Sequence, residues 1–160
     1  MVNRNKGYIL KFLLILVYFS VTSCGFKIAD QSNVNFSIRE INTIGDKRVN
    51  FKIKNELLYN TNKNEQNELI VNLNTKKIRQ IKEKNIKNEI KKYELILNVK
   101  VEFRGMNDLV KKQFNVKTSG DYDVADRYSQ TLTNEKKLID ILVEKIVSEI
   151  INSLAIRNDL

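Results

Sequence analysis

Few residues in this 160-residue chain could do chemistry. It holds one thiol, Cys24, and no histidine, so the usual general base and the commonest metal ligand are both missing. Two carboxylate pairs, Asp121 with Asp123 and Asp140 with Glu144, have spacings that acid–base catalysis could use. A turn accounts for the first pair and the polar side of a helix for the second. No Gly-rich phosphate loop and no G-x-S-x-G elbow occurs. No nucleophile–base arrangement can therefore be named, and neither an enzyme nor a bound cofactor or metal is expected. With only Cys24, an intramolecular disulfide is impossible, and a lone cysteine points instead to intermolecular pairing, a reactive thiol or modification.

Its position decides among these. Residues 1–23 contain Arg4, Lys6 and Lys11, no acid, and then the apolar run Phe12 to Phe19. A basic head, a short apolar stretch and small residues make a secretory signal. The run is about half of the roughly 20 residues a membrane-spanning helix needs. Val21-Thr22-Ser23-Cys24 follows directly. It resembles a bacterial lipobox, in which the thiol takes a diacylglycerol and cleavage makes the cysteine the new N-terminus. The expected organisation is a lipoprotein signal peptide at 1–23 and one domain at 24–160, tethered by lipid on Cys24. Gly25, rather than Asp, follows the cysteine and points to the outer membrane, with the domain on its periplasmic side.

The elements that would carry these residues show in the hydrophobic pattern. Val34, Phe36 and Ile38 alternate with polar partners as a half-buried strand, which Gly45 breaks. Asp46 can cap a helix carrying Val49, Ile53 and Leu57, although Val49, Phe51 and Ile53 also alternate as a strand would. Residues 60–67 read as a loop. Leu69, Val71 and Leu73 form a second strand, and Tyr93, Leu95, Leu97, Val99, Val101 and Phe103 a long third. After a turn at Gly105 to Asp108, Val110, Phe114 and Val116 make a return strand ending at Gly120. Leu138, Leu142, Ile146, Ile150 and Leu154 then mark an amphipathic helix beginning between Asp126 and Thr133. The order strand, helix, three strands, helix predicts an α+β fold, a mixed or antiparallel sheet of about four strands packed against two helices.

The net charge of +9 falls to +6 once the three signal-peptide bases are removed. That whole excess lies in residues 76–92. Lys76, Lys77, Arg79, Lys82, Lys84, Lys87, Lys91 and Lys92 stand there against Glu83 and Glu89, with Ile78, Ile81, Ile86 and Ile90 interleaved. The stretch spans the end of one strand, a turn and the start of the next. Two readings fit it: a solvated hairpin tip in a Lys-rich chain, or a protruding cationic hairpin that meets phosphates or an acidic surface. An exported protein rarely meets nucleic acid, so anionic lipid, lipopolysaccharide phosphate or an acidic partner is the better-matched target. Candidate contact residues are Lys76, Lys77, Arg79, Lys82, Lys84 and Lys87.

Cys24-Gly25-Phe26 followed by a strand, and the Lys92-Tyr93-Glu94-Leu95 entry to the long strand, resemble the LptE family of lipopolysaccharide-assembly lipoproteins. The order and length of the elements match over the mature chain. Many relatives carry Pro-Leu-Tyr where this chain has Ile28-Ala29-Asp30. The resemblance implies a lipoprotein that plugs the LptD β-barrel, helps it assemble, contacts lipopolysaccharide and catalyses nothing. The competing expectation is an auxiliary lipoprotein of an ABC-type lipid transporter.

Overall fold

A computed structural model describes residues 35–61 and 67–158. The signal segment, Cys24, Val34 and the middle of the 60–67 loop lie outside the described residues. The elements run β1 (Ser37–Gly45), α1 (Lys47–Asn60), β2 (Glu68–Lys84), β3 (Ile90–Gly105), β4 (Lys112–Asp123) and α2 (Tyr128–Asn158). This is the expected α+β order. The sheet is mixed: β1 pairs parallel to β2, and β2, β3 and β4 follow as antiparallel neighbours. A parallel pair needs a crossover connection, and α1 supplies it.

The ambiguity at residues 46–60 resolves as helix. Gly45 sits at φ +102, a left-handed conformation that ends β1, and a Cβ there would lie 2.0 Å from the Thr75 carbonyl oxygen. The Asp46 carboxylate then accepts from the backbone N–H groups of Arg48 and Val49 at 3.1 and 3.0 Å. With that cap in place the period of four wins. Val49, Ile53 and Leu57 are buried while Phe51, which only the strand pattern would turn inward, faces solvent. Asn50 fixes the entry, its amide donating to the Ile44 carbonyl at 3.1 Å.

Alternate residues of every strand face the helices. Val71 and Leu73 of β2 pair with Phe103 and Val101 of β3, and Val101 and Val99 pair in turn with Phe114 and Val116 of β4. The predicted α2 stripe closes over them, with Leu142, Ile146, Ile150 and Leu154 buried and Leu138 packed at the edge. α2 comes so close at Gly120 that a Cβ would meet Leu138 Cδ1 at 2.8 Å. Gly120 is therefore a packing position inside β4, not the end of a strand. Val110, assigned to the return strand by its pattern, lies in the preceding loop, and the strand runs on to Asp123. The other sheet face carries no helix among the described residues. Its middle is polar, with Asn42, Asn72, Asn74, Asn98, Lys100 and Asn115.

Candidate functional site

β2 outruns its parallel neighbour. The last β1 pairing is Gly45 with Thr75, so the nine residues from Lys76 to Lys84 have no strand on that side among the described residues. On the other side β4 supports β3 only as far as Lys92, opposite Asp123. The β2 stretch from Lys76, with its β3 partner, thus forms an arm that lacks β1 along its length and lacks β4 as well beyond Lys92, where β2 and β3 continue alone into the turn. Its turn is held by Asn85, whose side chain accepts from the N–H groups of Lys87 and Glu89, with Asn88 at φ 64. Asn tolerates this left-handed conformation better than most residues.

The six candidate basic residues separate along this arm. Alternation turns Lys77 and Arg79 toward the helices, where Glu135 of α2 waits, its side chain only 14% exposed. Lys77 lies 3.3 Å from one Glu135 oxygen and 3.8 Å from Asp46 at the α1 cap. Arg79 lies 3.9 Å from the other oxygen and stacks over the Tyr93 ring at 4.9 Å. Tyr122, 5.6 Å from Tyr93 between ring centres, donates its hydroxyl to Glu135 at 3.5 Å. Contact with Tyr122, and then the Glu135 charge, raise the Arg79 pKa further above its ordinary value. Burial pushes the Tyr122 phenol up, helped by Glu135 and opposed by Arg79. These two cations tie the arm to α2.

Lys82 on the opposite face is engaged as well, through an ion pair with Asp121 of β4; its hydrogen bond to that carboxylate raises the lysine pKa. Lys76, Lys84 and Lys87 have no carboxylate partner among the described residues. Lys84 donates to the Asn88 side chain at 2.9 Å. Lys76 instead points into the open sheet face, beside a hollow of about 420 Å³ that Asn74, Asn98, Lys100 and Asn115 also line. Between Lys84 and Lys87 the Ile86 side chain is fully exposed. The structure therefore leaves an anion two ammonium groups without a carboxylate partner and one aliphatic side chain at the arm's tip, with a third such ammonium group set apart.

Sequence reasoning missed Glu135. It falls at the start of the α2 stripe and reads as one more helix acid. Its signal lay in register: Lys77 and Arg79 share the β2 face that must look at a helix.

The fold is that of solved bacterial lipoproteins. No family model matches the chain, and no curated protein matches it. Among solved structures it is similar to the rare lipoprotein B of Shewanella oneidensis, at 16% identity and a TM-score of 0.51, over 74% of this chain and 96% of that one. It is also similar to an uncharacterized lipoprotein B of Nitrosomonas europaea, at 13% identity and a TM-score of 0.50, over 85% and 94%. Nearly the whole of each of those chains thus has a counterpart in this one.

Proposed function

We propose that the chain is an outer-membrane lipoprotein, anchored through Cys24 on the periplasmic side, that partners an LptD-type β-barrel and contacts lipopolysaccharide. The observation that carries this reading is the fold shared with rare lipoprotein B, on a chain whose Cys24-Gly25-Phe26 resembles the start of mature LptE. The role is a bound partner or plug, with no catalytic step. Geometry supports it. The described chain starts at the sheet end where Ser37 pairs with Glu68, and the cationic tip lies at the other end of β2. Seventeen residues of strand span about 55 Å, so a tethered domain would hold Lys84 and Lys87 well away from its anchor.

Depleting the protein in its own cell tests the role. Loss of lipopolysaccharide from the cell surface, with the precursor accumulating behind the outer membrane, is the expected result. Normal surface lipopolysaccharide after depletion would overturn it.

A further inference from the structure

At the anchor-proximal end of the sheet, β3 and β4 are joined by a loop unlike the rest of the surface. Leu109 is 98% exposed, Val110 71% and Met106 43%, a run of apolar side chains with no cover among the described residues. Single exposed aliphatics are ordinary, but an adjacent pair at a loop apex points to a contact. Cations surround it. Arg104 donates to the Asp108 carbonyl at 3.4 Å. Lys111 has no ion-pair partner among the described residues, and Lys112 reaches the Arg157 carbonyl at the end of α2 at 2.7 Å.

The place of the loop says what it meets. Met106 N–H donates to the Glu68 carbonyl at 3.0 Å, and the Asn67 amide donates to the Asn35 carbonyl at 3.3 Å. The loop and the point where the chain arrives from Cys24 are thus at one end of the sheet. Eleven residues lead from Cys24 to Asn35 and reach at most about 40 Å when fully extended. A bilayer holding Cys24 is therefore within about 40 Å of Asn35, at the sheet end that carries the loop, whereas Ile86 sits at the opposite end of β2.

We infer that the β3–β4 loop is a second membrane contact, with Met106, Leu109 and Val110 entering the interfacial layer of the anchoring bilayer and Arg104, Lys111 and Lys112 meeting lipid phosphates. The inference rests on the reading of Cys24 as lipidated. Apolar side chains ringed by Lys and Arg have the composition of an interfacial lipid contact, and a second weak membrane signal adds to the lipid anchor. No described helix is long and apolar enough to cross a membrane, so the contact is with the surface layer.

The test uses the full acylated protein in vesicles of phosphatidylethanolamine and phosphatidylglycerol. An environment-sensitive fluorophore goes on Leu109→Cys or, in a second sample, on Ile86→Cys; acylation blocks the Cys24 sulfur. Lipids with brominated acyl chains should quench the label at 109 at least about twofold and leave the label at 86 unchanged. A label at 109 that stays in water, or quenching at 86 alone, overturns the inference. So does shielding at 109 that occurs only when a protein partner is added, since the loop would then be a protein contact. Intact mass of the same sample separates the two layers. Without an acyl mass on the Cys24 peptide, the anchoring reading fails and takes the inference with it. With that mass present and no quenching, only the inference fails.

Discussion

Gly45 does two jobs in one residue, ending β1 and aiming the chain at the Asp46 cap. Gly45→Ala must put a Cβ on the Thr75 carbonyl and hold a non-glycine residue at positive φ, which alone costs about 1–2 kcal/mol. The expected loss of unfolding free energy in denaturant titration exceeds that figure, and Asp46→Ala should cost about 1 kcal/mol. Glu135 is the second decisive residue. Two cations and a phenol converge on its mostly buried carboxylate, so Glu135→Gln should destabilise by roughly 1–2 kcal/mol, between an exposed and a buried pair. Tyr122 gives the site a pH signature. Its folded pKa is raised above the ordinary 10.0. The stability linked to the neutral phenol is therefore complete below pH 10.0 and is lost as pH climbs through the folded value. Tyr122→Phe should flatten that alkaline decline in a denaturation series, while an identical decline in the variant would remove Tyr122 as its source.

At the scale of elements, the lysine-rich arm has a structural explanation as well as a functional one. From Lys76 onward β2 is an edge strand, with unpaired backbone groups that invite another strand. Lys, Arg and Glu side chains, together with register shifts at Ile81/Glu83 and Glu83/Lys84, are the usual protection. Most of the arm's charge is accounted for by that protection and by pairing with Glu135 and Asp121. The ligand-contact reading therefore contracts to the tip. Lys84→Glu with Lys87→Glu should weaken lipopolysaccharide binding in vitro about thirtyfold, at roughly 1 kcal/mol per lysine, and leave the unfolding midpoint in place. Lys77→Glu with Arg79→Glu should lower the midpoint instead. Equal effects of the two pairs on binding would contradict the division. Much of this was legible in advance: the Asp46 cap, the Val49-Ile53-Leu57 stripe, the long β3 face and the α2 stripe all follow from local period. What was not legible depends on pairing partners. The sequence around Lys76 does not say that β1 stops opposite Thr75, that β4 reaches past Gly120, or that Glu135 lies across from Arg79.

At the largest scale the described domain has two unlike ends. The chain enters at one end beside an apolar, basic loop, and a cationic tip projects from the other. Between them one sheet face is sealed by two helices and the other is uncovered by the described residues, its middle rich in asparagine side chains that can donate and accept at once. A domain entered at one end, charged at the other and anchored as proposed through Cys24 suits a protein held inside or against a larger assembly. The measurement that tests this most directly is purification of the Cys24-anchored protein from detergent-solubilised membranes of its own cell, with the associated chains identified by mass spectrometry. An LptD-type β-barrel recovered in stoichiometric amount is the predicted result; recovery of ABC-transporter components without any such barrel would contradict it.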